Sequence, residues 1–506
     1  MMTIKTESQI AVRMRGARIA LAIVSATLLM GTLMTRRAGA QVFATLHSFN
    51  GSDGSNPRAG LVTDSAGNLY GTTTGGGSAN QGTVFKISAA GGTLTVLHNF
   101  GDGTVTNDGA DPFAGLILDS AGNLYGTTTG GGSAGQGTVF KIPAAGGVLT
   151  VLHNFGDGTV ANDGAHPYAG LILDSSGKYL SGTTAGGGSW MNGTVFRLDT
   201  SGKNLSVLHS FSGTDGADPQ AGLILDSSGN LYGTTQGGGS WINGTVFTLD
   251  TSGNLNVLHS FSGGNDGALP DAGLVLDSSG NLYGTTAGGG SAGYGTVFSL
   301  DTSGKNFNVL HSFSGTDGAN PFADLVLDSS GNLYGTTFGG GSGSGGTVFK
   351  LNTSGSPFAV LYSFSGGEDG GKPHAGLVLD SSGNLYGTTF GGYGTVFEIA
   401  ITPQQGTQLI TNQVNTLEVQ GALKQGQANS LDKELNQAIS LMNSGKNSGA
   451  IQNLQDFIAE TEDLESSGVL ASPQAEPLTN QTNVGVASSP AELLISEANA
   501  VIAELQ

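Results

Sequence analysis

The sequence predicts a mainly β protein: a seven-bladed β-propeller closed by pairing of its N- and C-terminal strands, followed by a small all-α domain of about four helices. Three observations carry this expectation. One phrase of about 50 residues is written seven times. Every copy holds four strand-like segments separated by turn residues. The two ends of the repeated region are complementary, one carrying a lone fourth strand and the other lacking it. Four strands per unit at this period is the mark of a propeller blade.

The count rests on two short motifs. Gly-Thr-Thr begins at Gly71, Gly126, Gly182, Gly233, Gly284, Gly335 and Gly387, and GTVF begins at Gly82, Gly137, Gly193, Gly244, Gly295, Gly346 and Gly394. In the fourth copy the strand-like segments are AGLILD (221–226), NLYGTT (230–235), GTVFTLD (244–250) and NLNVLHSF (254–261). Ahead of the first copy stands VFATLHSF (42–49), a fourth strand with no first three. The last copy stops at GTVFEI (394–399). Residues 42–49 are therefore expected to complete the seventh blade, giving a propeller over 41–400 with no open sheet edge at the seam.

Composition agrees. Glycine is 88 of 506 residues, far above the usual ~7%, with neither a collagen period nor the low hydrophobicity of disorder. The turn DSSGN suits a hairpin, its Asp capping its own backbone and its Gly and Asn accepting left-handed φ. Gly233, inside a strand, is expected to let a neighbouring backbone approach closely. Tyr, Val, Phe and Leu are expected to fill the space between blades.

The N-terminus reads as an export signal over 1–40. Arg13, Arg15 and Arg18 precede the apolar run IALAIVSATLLMGTLM (19–34), and AGA (38–40) offers a cleavage site before Gln41. Arg36 and Arg37 fall between run and site, which leaves retention as a membrane anchor as the alternative. No other apolar run is long enough to span a bilayer. The expected location is secreted or cell-surface, with the periplasm as the alternative. Cleavage leaves 12 basic and 37 acidic residues, a net charge of −25. Such an acidic surface repels nucleic acid and anionic lipid and suits divalent cations. There is no cysteine, hence no disulfide and no thiolate chemistry.

The phrases GLVLDSSGNLYGTT, GGG and GTVF resemble those of the GloVer tandem-repeat family of exported bacterial proteins, over about 360 residues. Copy three departs with SGKYLSGTT (176–184), which carries one extra residue. The resemblance implies a propeller-like fold and surface export, with no established activity and no catalytic residues to carry over.

After about 403 glycine thins and Leu, Ala, Gln, Asn and Glu take over. Helical spacing is expected over 409–421, 428–445 and 449–468, with Leu431, Leu435, Ala438 and Leu441 on one face and Gly421, Gly445 and Gly468 as C-caps. A polar insert at about 472–488 interrupts. A last helix opens with a capping box from Ser489 to Glu492 and Pro490 at its first position. Through VNTLEVQGAL and LQDFI this 401–506 unit resembles the FIMAH domain, a helical module at the C-termini of exported bacterial proteins. The resemblance implies attachment or a protein partner, and a folded cap with no partner is the alternative.

Function is sought where the copies differ. The loops DSSGN and DTSG on one propeller face hardly change. Those on the other face vary, and a rigid frame displays its binding residues on loops. The residue after the proline that leads into each innermost strand reads Arg58, Phe113, Tyr168, Gln220, Asp271, Phe322 and His374. On a propeller these seven are expected to ring the channel mouth. Trp190, Trp241 and Tyr294 stand in glycine-rich loops, Phe338 and Phe390 at an earlier loop position. Exposed aromatic faces suit sugar rings or apolar partners, while packing across the blade gap is the other reading.

Six histidines, His47, His98, His153, His209, His259 and His311, recur in the fourth strand, with Tyr362 in place of a seventh. One per blade cannot converge on one ion, so a structural role is expected and no cofactor is assigned. Asp53, Asp108, Asp163, Asp215, Asp266, Asp317 and Asp369 are expected to be turn residues, with calcium the weak alternative. The sequence thus points to an exported, non-enzymatic binding or cell-surface scaffold protein for a glycan or a protein. The alternative is a polysaccharide-active hydrolase or lyase using Arg58, Asp271, His374 and His166, with Glu368 the one glutamate in these loops.

Overall fold

The structure, a computed structural model, describes residues 42–88, 92–380, 383–400, parts of 407–418, 421–467, 469–470 and 490–505. The expected export signal and the insert at about 472–488 lie outside the described residues. Among the described residues, 28 strands form seven four-stranded antiparallel sheets. Six sheets use four consecutive strands. The seventh runs Val42–Ser48, Thr395–Ala400, Leu385–Thr389, Val378–Leu379. Its closing pair sets Val42 against Ala400, Thr45 against Phe397 and Ser48 against Thr395. The ring is therefore closed by the two ends of the repeat region, as the missing strand required.

The repeated words are the packing code between neighbours. Tyr70, Val84 and Phe100 of blade one share a core with Leu116, Leu124 and Phe140 of blade two. The first Thr of Gly-Thr-Thr stitches each blade to the next: Thr72 Oγ1 donates to the Ala114 carbonyl at 3.0 Å, and Thr234 to Ala272 at 2.8 Å. The same bond runs from Thr388 to Ala59 at 3.3 Å and joins blade seven to blade one. The second Thr meets the Thr of GTVF, as Thr73 meets Thr83 at 2.8 Å. Gly233 has a different neighbour from the one expected. A Cβ there would lie 2.8 Å from Leu223 Cδ2 and 2.8 Å from Phe247 Cζ, so side chains and not backbone fill the space. The DSSGN turn also differs in one residue. Asn230 is not left-handed; it immediately precedes the strand Leu231–Thr235 and ties the turn through its side chain, Nδ2 donating to Asp226 Oδ2 at 2.8 Å, while Ser228 N donates to Asp226 Oδ1.

The innermost strands are shorter than their apolar segments, two paired residues in each blade, such as Val62–Thr63. The Ala-Gly portion instead packs against the neighbouring blade around the axis. A Cβ on Gly60 would come within 3.3 Å of the Gly376 carbonyl oxygen, which is why this neck position is glycine in six copies.

Each recurrent histidine pairs with the aspartate of its own varied loop. His98 Nε2 meets Asp108 Oδ2 at 2.8 Å, His153 meets Asp163 at 2.8 Å, and His47, His209, His259 and His311 meet Asp53, Asp215, Asp266 and Asp317 at 2.9–3.2 Å. Tyr362 O–H donates to Asp369 at 3.2 Å and takes the same role. The other carboxylate oxygen accepts from loop groups, as Asp53 Oδ1 does from Asn50 N. These aspartates thus hold the long loop onto the outer strand. His98→Ala leaves the buried Asp108 without its side-chain partner and is expected to destabilise the fold by about 2 kcal/mol in urea unfolding. An unchanged midpoint would show that the pair does not hold the loop.

Three helices have described bounds: α1 (Gln425–Asn443), α2 (Asn447–Ser466) and α3 (Pro490–Leu505). They do not by themselves make the four-helix unit expected. The first expected helix is described only in part, helical at Thr407, Ile410, Thr411, Val414, Asn415, Leu417 and Glu418. Gly421 and Gly445 take the left-handed conformation of C-caps, φ +78° and +70°. Gly468 and the Ser489 cap lie outside the described residues. Leu431, Leu435 and Ala438 are buried with Met442, and Leu441 is only half-buried at the rim. The helical core includes Ala44 and Ala400, so the module packs on the closing strand pair of blade seven. No described helix is long and apolar enough to cross a membrane.

Candidate functional site: the channel mouth

Each blade aims one side chain into the channel by the same local device. A left-handed residue precedes the proline: Asn56, Asp111, His166, Asp218, Leu269, Asn320 and Lys372 all have φ between +52° and +59°. Only Asn and Asp adopt this readily, and a Leu or Lys there carries backbone strain. The proline then packs on the preceding blade. A Cβ on Gly82 would lie 2.6 Å from Pro112 Cδ. The following residue is left facing the axis.

Arg58, Phe113, Tyr168, Gln220, Asp271, Phe322 and His374 accordingly line one cavity of about 270 Å³, together with Gln236 and Asp324. Its two sides differ. On one, Phe113 stands edge-on to Tyr168 at 5.1 Å and to His374 at 5.8 Å, and His374 stacks on Phe322 at 5.2 Å. The Arg58 guanidinium lies over the Phe113 and Phe390 rings, 4.9 and 4.4 Å from their centroids. Phe338 backs this wall, 5.5 Å from Phe322. The other side is polar: Gln220 Nε2 donates to Gln236 Oε1 at 3.0 Å, and Gln236 Nε2 donates to Asp271 Oδ1 at 2.6 Å.

Asp324 takes the place of a neck glycine in blade six. Its Oδ1 accepts the Gly273 N–H. Asp324 is exposed to the lumen of the cavity. Partial loss of water in the cavity raises its pKa, opposed by the Gly273 hydrogen bond. Burial raises Asp271 to about 6, opposed by the Gln236 hydrogen bond. Burial lowers His374 to about 4, and the Arg58 charge adds to it. At pH 7 the cavity therefore holds a guanidinium, an ionised Asp271 and a neutral imidazole.

Trp190 and Trp241 are not in this cavity. They are 65% and 63% exposed on loops of blades three and four, beside the exposed Met191 and Ile242, whose φ values are +62° and +64°. Packing across the blade gap does not describe them. Tyr294 is also exposed. His166 stands outside the cavity lining, its Nδ1 2.9 Å from the Thr129 carbonyl oxygen, and Glu368 lies on the exposed loop surface. Asp324 and Gln236 are cavity residues that the sequence reading passed over. Both are single-copy departures in aligned columns, Asp324 from Gly and Gln236 from Thr, Ala or Phe. Among the described residues no group of three or more metal-ligating side chains comes together.

Comparison with known proteins bears on the chain as a whole. The model of the Gloeobacter/Verrucomicrobia repeat matches residues 24–243, 159–329 and 276–435, and that of the FIMAH domain matches 407–487. No curated protein matches in sequence. Among solved structures, the extracellular domain of a candidate one-component system from B. thetaiotaomicron is 12% identical at TM-score 0.48, covering 71% of this chain and 40% of that one. The extracellular domain of a candidate hybrid two-component system from the same organism is 15% identical at TM-score 0.47, covering 71% and 41%. The chain thus spans about two fifths of the length of these two. A candidate 6-phosphogluconolactonase from Bacteroides uniformis is 14% identical at TM-score 0.40, covering 60% and 84%. By its seven repeats and its C-terminal module, the chain belongs to the Gloeobacter/Verrucomicrobia repeat family and ends in a FIMAH domain.

Proposed function

We propose that this chain is an exported, non-enzymatic binding protein whose propeller holds a small ligand, a glycan or the end of a protein chain, at the channel mouth. One observation carries the reading. The seven positions that differ most among otherwise near-identical copies converge on a single cavity. Varied side chains on a repeated frame are what a binding site needs and a packing solution does not. The aromatic wall suits the flat face of a sugar or side chain, and the Gln220–Gln236–Asp271 chain suits its polar edge. In this reading the leader of 1–40 directs export, the unit beyond 401 folds as a four-helix module, and that module attaches the propeller to a surface or partner. The exposed Trp190 and Trp241 form a second, separate contact for an extended ligand.

A glycan and peptide array, probed with the chain from residue 41 in calcium and in chelator, tests this. Binding is expected in both conditions, and Asp271→Asn or His374→Ala is expected to weaken it at least tenfold. Binding that survives both ring substitutions but disappears in Trp190→Ala/Trp241→Ala would move the site to the exposed loops. The polysaccharide hydrolase or lyase alternative is favoured by one feature, a carboxyl group at about 6 in the cavity, near the range of a general acid or base. Turnover of an array ligand, lost in Asp271→Asn with folding intact, would establish it.

A further inference from the structure

We infer that the channel-mouth pocket takes a small zwitterion, with Arg58 holding its carboxylate and Asp271 and Asp324 holding its ammonium group. This deepens the binding reading above and rests on it.

Arg58 belongs to blade one and Asp271 to blade five, so they stand three blades apart one way and four the other, on opposite sides of the mouth. Asp324, in blade six, accepts the N–H of Gly273, two residues beyond Asp271. Groups of opposite charge in one enclosed space normally pair, because an unpaired charge loses solvation without compensation. Here they do not. Among the described residues Arg58 makes no ion pair, and its guanidinium lies against the Phe113 and Phe390 rings. The described partner of Asp271 is the Gln236 amide, and that of Asp324 is a backbone N–H. The frame holds plus and minus apart across one cavity of about 270 Å³, at the small end of ligand pockets.

A ligand that bridges the two poles supplies both missing partners at once. The guanidinium presents a planar fork matched to a carboxylate. An ammonium group finds Asp271 and Asp324 opposite. Between them, Phe113, Tyr168 and Phe322 offer apolar faces for the ligand body. A neutral sugar would offer neither Arg58 nor Asp271 an opposite charge. A free α-amino acid carries both its charges on one carbon, whereas Arg58 and Asp271 come from opposite sides of the ring. The class that fits has its charges at opposite ends of a short body: a dipeptide or an ω-amino acid.

Calorimetric titration of the chain from residue 41 tests the inference. The probes are the dipeptide Ala-Phe, 5-aminopentanoate, N-acetylated Ala-Phe, Ala-Phe amide and cellobiose. The uncapped zwitterions are expected to bind, and capping either end to weaken binding at least tenfold. In Arg58→Met the amide is expected to bind as well as the free acid, and in Asp271→Asn the acetylated form as well as the free amine. Arg58→Lys, which keeps the charge without the fork, is expected to fall between. Circular dichroism of each variant controls for folding. Cellobiose, or both singly capped peptides, binding as tightly as the zwitterions would overturn the zwitterion and leave the pocket standing as a ligand site. No binding by any probe, with the glycan and peptide array also silent, would overturn both.

Discussion

Removing residues 42–48 is expected to abolish the monomeric propeller. This segment supplies the fourth strand of blade seven and pairs with Thr395–Ala400 along its length. Phe43 stacks on Tyr362 at 4.2 Å and lies 5.6 Å from Phe397, so it also ties blade six to blade seven. Ala44 sits in the core of the helical module. Loss of the half-buried Phe43 ring alone is worth roughly 2 kcal/mol. The exposed edge of Thr395–Ala400 would then template pairing with other chains. Size-exclusion chromatography is expected to show oligomers or aggregate, with the cooperative melting transition lost. A truncated chain that stays monomeric and melts at the original temperature would show that the ring does not depend on its seam.

The second large effect is expected at Glu398. In blades one, two and six this column holds Lys86, Lys141 and Lys350, each over a tyrosine ring at 5.2–5.5 Å. In blade seven the helical module covers that side. Glu398 pairs across the sheet with Ala44 and is only 4% exposed. Its Oε1 accepts the Tyr386 O–H at 3.1 Å, and its Oε2 is buried without a partner. Burial raises its pKa to about 8, with the Asp380 charge adding and the Tyr386 hydrogen bond opposing. An unfolded glutamate titrates near ~4.3. Folding therefore takes up a proton between those two values, so this contribution is complete below about pH 4 and is lost as pH rises toward 8. Glu398→Gln is expected to add about 1–3 kcal/mol at pH 8.5 and to flatten the fall in stability between pH 5 and 8. Urea unfolding at pH 5 and 8.5 reads this, and an identical slope in wild type and variant would contradict it.

Blade number, order and closure were legible because seven copies and one displaced strand leave a single way to share four strands per sheet. The seven mouth residues were legible for a related reason. Variation in one column of a repeat has a fixed spatial meaning. What stayed hidden depended on distances that no spacing encodes. The histidines and the loop aspartates were each noted, but His98 with Asp108, ten residues apart across a turn, becomes a pair only when the loop folds back. Gly233 signalled close packing without saying whether backbone or a phenylalanine ring fills the gap. Asp324 was visible as the one departure from a glycine column. It went unread because its neighbours belong to the invariant strand wording. Trp190 and Trp241 occupy varied loops like the mouth residues, yet stay exposed outside the cavity, which their loop positions alone did not tell.

The account rests on the varied mouth residues forming one binding pocket. Calorimetry of wild type, Asp271→Asn and Trp190→Ala/Trp241→Ala against the best array ligand decides it. The account predicts that Asp271→Asn weakens binding at least tenfold while the tryptophan double variant keeps the pocket affinity for a small ligand. Equal affinity in wild type and Asp271→Asn, with loss in the tryptophan variant, would contradict it.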